Sequence, residues 1–258
     1  MIIGRLLFKK YSSVDRNASY GYVREIMRET GIRLLPVLEG NKLLGIIRRI
    51  DVLGITARRS NWTAADLMEY PRVLLKEDED LFQSVKKILS IDEWYAPVVD
   101  DENDFKGIFG FENFISYMVK TNHKANLEPV EKYMSREIIT VTVTDAVSKV
   151  WGFMIKYNYD GFPVVDDEGR LVGLISQYDL LKHGITRIQL ESQSGPKMGP
   201  KVEGIMSTPP ITVHPKSLIK EVSRLIIDRN IGRVLVLDKG ELVGIIDREN
   251  VSRAYLST

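Results

Sequence analysis

Apolar and polar positions along this chain fall into one rhythm, repeated four times. The third repeat shows it most plainly. Ile138-Ile139-Thr140-Val141-Thr142-Val143 is almost wholly β-branched, which predicts a strand. Val147, Val150, Trp151, Met154 and Ile155 then recur at three- and four-residue spacing, which predicts a helix with one apolar face. Thr144 stands as its cap and Asp145 in its first turn, where a negative charge suits the helix dipole. Asn158-Tyr159-Asp160-Gly161 ends it. Residues 162–165 form a short apolar strand, Asp166-Asp167-Glu168-Gly169 a turn, and residues 170–175 the returning strand. Ser176 is placed to cap a second helix through Leu181 and His183. The order is strand, helix, strand, strand, helix.

The other three repeats follow suit. Leu218, Val222, Leu225 and Ile226 mark the helix of the fourth, Val85, Ile88 and Leu89 that of the second, and Val23, Ile26 and Met27 that of the first. Each returning strand carries the same glycine-centred phrase. Leu171-Val172-Gly173-Leu174-Ile175-Ser176-Gln177-Tyr178-Asp179 aligns without a gap on Leu242-Val243-Gly244-Ile245-Ile246-Asp247-Arg248-Glu249-Asn250. Weaker copies surround Gly45 and Gly107, so the four glycines are 62, 66 and 71 residues apart. Self-similarity at that period fixes the architecture. A unit of about 60 residues has one sheet face to bury and is marginal alone, so α+β units are expected in two tandem pairs. The first pair is expected over 1–123 (units about 1–57 and 64–120), the second over 124–258 (units about 130–185 and 202–258). The polar stretch 121–128 then links the pairs, and 189–201, rich in Ser, Gly and Pro, is a flexible connection within the second.

These phrases resemble the CBS (cystathionine β-synthase) domain family. Its hallmarks are Met134-Ser135 and Met206-Ser207, the Pro163-Val164-Val165-Asp166 strand, and the glycine phrase. The four-copy arrangement is similar to the gamma subunit of AMP-activated protein kinase and to related stand-alone proteins. The resemblance implies paired units forming a Bateman module whose cleft binds adenosine-containing ligands, two modules stacking as a monomeric disc or a homodimer. It implies an energy-sensing regulator that reports AMP, ADP or ATP to a protein partner.

Chemistry at the end of the phrase fits that implication. An Asp at the start of a helix offers two acceptor oxygens to the two hydroxyls of a ribose. A Ser three residues earlier can hydrogen-bond a phosphate. The resemblance carries these roles onto Asp179 and Ser176, and places an adenine against Ile139 and Thr140 and against Gly161, Phe162 and Pro163. The first copy keeps Asp51 but has Arg48 at the serine position, where a guanidinium can pair with a phosphate. The second and fourth copies have Asn113 and Asn250, and Asp247 would repel a phosphate, so these sites rank below. Arg233 stands where relatives often present a phosphate-binding base. As an ordinary exposed helix cap, Asp179 would add only about 1 kcal/mol to stability.

Composition narrows the alternatives. Lys+Arg 36 against Asp+Glu 35 gives a net charge of +1, without the basic bias of a dedicated nucleic-acid binder. No cysteine is present, which excludes disulfides and thiolate chemistry and suits a reducing, cytoplasmic setting. The apolar run at the N-terminus is broken by Arg5, and no stretch approaches a membrane span. Three histidines, at 123, 183 and 214, have no metal-ligand spacing. Met68, Met134 and Met206 and the tryptophans 62, 94 and 151 fall at core positions. With no catalytic motif and the repeats consuming the chain, no enzyme is expected. The readings left open are an adenine-nucleotide sensor, a scaffold with degenerate sites, and an S-adenosylmethionine binder.

Overall fold

The computed structural model describes residues 1–187, 191–192, 195–196 and 199–257. Residues 189–190, 193–194 and 197–198 of the connection expected at 189–201 lie outside the described residues. Each copy is built on an antiparallel hairpin: Leu34–Glu39 with Lys42–Arg48, Tyr95–Val99 with Phe105–Gly110, Gly161–Val165 with Leu171–Ser176, and Arg233–Asp238 with Glu241–Asp247. In the first, third and fourth copies a two-residue strand runs parallel to the inner strand (Val14–Asp15, Val141–Thr142 and Thr212–Val213). The second copy has a single bridge, Leu75 to Val98, in that place. One helix precedes each hairpin and a second follows directly, so the strand-helix-strand-strand-helix order holds.

Local details depart from the periodicity. The helix of the third copy is Val147–Tyr157, starting two residues later than the cap signal. Asp145 instead accepts from the Thr142 amide at 2.9 Å and closes a turn before the helix, which removes it from the first turn. Its strand is also shorter, the parallel ladder pairing Val141 with Val164 and Thr142 with Val165.

The chain forms two compact units, and each takes alternate copies. One unit holds residues 1–11, 71–138 and 211–258, with the bodies of copies two and four. The other holds 12–70 and 139–210, with the bodies of copies one and three. The boundary expected at 123 therefore falls inside a unit. Each unit has its own apolar core. In the first, Val85, Ile88, Phe109 and Phe114 bury with Val222, Ile226, Val234 and Tyr255. In the second, Val23, Met27, Leu35 and Ile47 bury with Val150, Met154, Phe162 and Ile175.

What the repeat glycines do explains this interleaving. The segment leading into one copy lies across the hairpin of its neighbour in sequence. Phe8 bridges Ile108 and Glu69 bridges Ile46; Ser135 bridges Ile245 and Ser207 bridges Leu174. At three of the crossings the backbone passes over the glycine, and at the fourth the Met134 side chain does. A Cβ on Gly45 would lie 2.9 Å from the Glu69 carbonyl oxygen, one on Gly107 2.8 Å from that of Phe8, and one on Gly173 2.9 Å from that of Ser207. On Gly244 it would strike the Met134 sulfur. Real Cβ atoms do not approach so closely, so Gly45, Gly107 and Gly173 require glycine for space, while at Gly244 the flexible Met134 side chain would have to move. Copies one and two thus exchange leading segments, and so do three and four.

The stretch 121–128 is polar in sequence yet firmly held. His123 caps a short 3-10 helix, Lys124–Leu127. Asn126 is buried, donates to the Thr121 carbonyl at 2.8 Å and accepts from Tyr255 Oη at 2.7 Å. Tyr255 Oη also lies 3.0 Å from the Ser223 hydroxyl. Burying these groups is tolerable because each has a partner.

Candidate functional site

The glycine phrase ends in a capping box. In all four copies the last strand residue is extended and the side chain three residues on accepts its backbone N–H. Arg48 donates to Asp51 at 2.9 Å, Gly110 to Asn113 at 2.8 Å, Ser176 to Asp179 at 2.7 Å and Asp247 to Asn250 at 3.0 Å. Either Asp or Asn can do this, since the bond needs one side-chain oxygen. What the remaining side-chain atoms do separates the copies.

In the third copy Asp179 is only 7% exposed, a correction to the exposed cap expected from sequence. Its Oδ2 accepts from the Ser176 amide and, at 2.6 Å, from the Ser176 hydroxyl. Its Oδ1 accepts from the Ser207 hydroxyl at 2.7 Å. Ser207 belongs to the exchanged segment, held over the hairpin by its own pairing with Leu174 and by Thr208, whose hydroxyl donates to the Val172 carbonyl at 2.9 Å. Each carboxylate oxygen therefore takes one hydroxyl donor.

Of the other residues singled out, Gly161 stands in register with Ser176, Phe162 with Ile175 and Pro163 with Leu174, so the hairpin brings all three beside the Ser176 strand. Phe162 is turned into the core, its ring 5.8 Å from Tyr159 and 6.1 Å from Phe153. Ile139 and Thr140 lead into the strand on the far side of Gly161–Val165, so the middle strand separates them from Ser176. Arg233 faces Asp247 in the register that Gly161 and Ser176 share, and it belongs to the other compact unit.

The first copy uses different partners. Arg48 donates from Nε to Asp51 Oδ2 and from Nη2 to Asp51 Oδ1, both at 3.1 Å. The same guanidinium reaches Glu69 at 3.0 Å. Glu69 follows Met68 as Ser207 follows Met206, so it holds the exchanged-segment position of Ser207. In the second copy the Asn113 amide donates to the Leu6 carbonyl at 2.6 Å, again on the exchanged segment. In the fourth, Asp247 and Asn250 bond each other's backbone N–H groups. Sequence reasoning passed over Ser207 and Glu69. The available signal was the residue after each leading-segment methionine, readable only once the exchange is known.

The second unit also buries charge where copies one and three meet. Arg49, nearly inaccessible, donates to the carbonyls of Gly31 and Ile32, and its guanidinium lies 5.2 Å from the Tyr178 ring centre. Arg33 pairs with Asp160 at 2.9 Å. Among the described residues no cluster of His, Cys, Asp and Glu is arranged to hold a metal ion, and no helix is long and apolar enough to cross a membrane.

Comparison with known proteins gives the architecture its context. The CBS domain family model matches residues 3–57, 130–185 and 202–257. The protein MJ1225 of Methanocaldococcus jannaschii is 26% identical over 253 residues, 89% of each chain. Its crystal structure, described as that of a candidate archaeal homologue of γ-AMPK, aligns over 99% of this chain and all of that one, at 24% identity with a TM-score of 0.86. MJ1404 of the same organism is 28% identical over 235 residues, 88% of this chain. CBSX2, a chloroplastic CBS domain-containing protein of Arabidopsis thaliana whose structure was solved in complex with AMP (TM-score 0.42), is 30% identical over 140 residues, 45% of this chain. The chain spans 55% of the length of MJ1404 and 56% of CBSX2.

Proposed function

Because this chain belongs to the CBS-domain family, we propose that it is a regulatory module that binds an adenosine-containing ligand, an adenine nucleotide in the first place, and reports its occupancy to a protein partner. One observation carries the proposal. The Asp179 carboxylate holds one hydroxyl on each oxygen, Ser176 on Oδ2 and Ser207 on Oδ1. A ribose presents two adjacent hydroxyls, the same donors in the same number, so it replaces the serines like for like with little net loss of hydrogen bonding. The Ser176 hydroxyl, once released, is free to donate to a phosphate. The copies exchange leading segments one with two and three with four, which supports two functional pairs, 1–123 and 124–258. Ligand shifts the conformation of such a pair only by its differential affinity for two states. Because Ser207 is anchored in the leading segment of copy four, its displacement gives that difference a physical basis.

Calorimetric titration with AMP, ADP, ATP and S-adenosylmethionine tests this, AMP first because the related CBSX2 holds it. Binding that is lost in Asp179→Ala supports the proposal, and tighter binding of S-adenosylmethionine than of any nucleotide would exchange the ligand class. A second reading is a scaffold whose sites are closed, favoured by the donors that already fill Asp179. Absence of binding by all four ligands would establish it.

A further inference from the structure

Copy one retains the aspartate yet differs from copy three in what holds it. Asp51 has both oxygens occupied by a single guanidinium, Arg48 Nε on Oδ2 and Nη2 on Oδ1, in a fork that matches the carboxylate edge. The same Nη2 also donates to Glu69 of the exchanged segment, at 3.0 Å. Asp51 and Arg48 are mostly shielded, at 21% and 26% side-chain exposure. These three residues carry two carboxylates against one cation. The corresponding three in copy three, Ser176, Asp179 and Ser207, carry one carboxylate and two neutral hydroxyls.

We infer that copy one is a closed site: Arg48 is its permanent occupant, and the residue after the leading-segment methionine, Glu69 against Ser207, decides which aspartate-bearing copy accepts a ligand. This rests on the diol-binding role proposed for Asp179. Ribose hydroxyls can replace serine hydroxyls like for like, but at Asp51 they would have to replace a cationic fork with two neutral donors. The bidentate ion pair adds a charge–charge attraction that the two serine hydroxyls lack, so a ligand at Asp51 is expected to bind more weakly than one at Asp179. Nor is Arg48 available as a phosphate receptor. An incoming phosphate would have to draw it from two carboxylates and then lie beside both. The sequence expectation that Arg48 receives a phosphate is therefore replaced by one in which it excludes the ligand.

Stoichiometry of AMP binding decides the matter. The wild-type chain is expected to bind one AMP, and Arg48→Ser combined with Glu69→Ser is expected to bind two, the new site disappearing again when Asp51→Ala is added. The converse graft, Ser176→Arg with Ser207→Glu, is expected to abolish the wild-type site. Thermal unfolding of each variant separates misfolding from site loss, and Arg48→Gln with Glu69→Gln, uncharged and bulkier than serine, is the second variant should the serine pair fail to fold. Two AMP molecules bound by the wild type, one of them lost in Arg48→Ser, would overturn the inference by making Arg48 a ligand-binding residue. A serine pair that folds and still binds one AMP would also overturn it. A wild type that binds none while the Arg48/Glu69 variant binds one would refute the role proposed for Asp179 and leave the closure of copy one standing. No binding by either protein would remove both.

Discussion

Replacing Asp179 separates its structural work from its proposed ligand work. Asp179→Ala removes three bonds to a buried carboxylate, from the Ser176 amide at 2.7 Å and from the hydroxyls of Ser176 and Ser207 at 2.6 and 2.7 Å. Bonds to a charged acceptor contribute about 1.5–3 kcal/mol each. The three are not additive, and Ser176 and Ser207 have enough exposure for water to recover part of the loss. The alanine variant should lose about 2–3 kcal/mol without any ligand, a Tm decrease of roughly 5–10 °C for a chain of this size. Asp179→Asn keeps one oxygen for the Ser176 amide, as Asn113 and Asn250 do for theirs, and should lose about 1 kcal/mol or less. Urea unfolding and exchange of the Ser176 amide proton read both variants directly. In calorimetry the alanine variant should bind AMP roughly 30- to 1000-fold more weakly, two charge-assisted bonds being lost. An unchanged Tm in Asp179→Ala would refute the capping geometry. Asparagine as damaging as alanine would refute the equivalence of the four copies.

Two other perturbations probe the frame around the site. Gly173→Ala places a Cβ 2.9 Å from the Ser207 carbonyl oxygen and 2.8 Å from the Met206 sulfur; overpacking of this kind costs about 1–3 kcal/mol, and a neutral Tm would show that the exchanged segment is not seated on the glycine. Burial, and secondarily the neighbouring charge of Lys124, lowers the His123 pKa below 6.5, so the unfolded chain binds its proton more readily. Stability should then be full above about pH 6.5 and fall as pH drops toward the lowered folded value; His123→Gln should flatten the difference between unfolding at pH 5 and at pH 7.5, and an unaltered profile would contradict it.

Much of the fold was legible because hairpins and capping boxes are local. The apolar run Pro163-Val164-Val165, the turn at Asp166 and the return to Ser176 declare themselves within 14 residues. The Ser176–Asp179 spacing likewise announces a cap. What the sequence could not place was which hairpin receives which leading segment. Met206-Ser207 is 33 residues beyond Gly173, and nothing near Ser207 states that its hydroxyl ends on Asp179. Arg48 shows the same limit from the other side. A guanidinium at a serine position reads as a phosphate receptor, and nothing in the sequence near it announces its bond to Glu69, 21 residues away. Polarity misled at 121–128, where Asn126 is buried because distant Tyr255 supplies its partner.

The exchange of leading segments also bears on how such a chain can be cut or can have arisen. Residues 124–258 contain Met134 with Gly244 and Met206 with Gly173, so a fragment beginning at that boundary keeps both of its crossings. Neither compact unit can be excised as one stretch, since each is assembled from two or three separate pieces of chain. A solitary copy would have a glycine with no strand above it and a strand with no glycine beneath. Two identical solitary copies would complete each other, so a single repeat made on its own is expected to pair as a swapped homodimer.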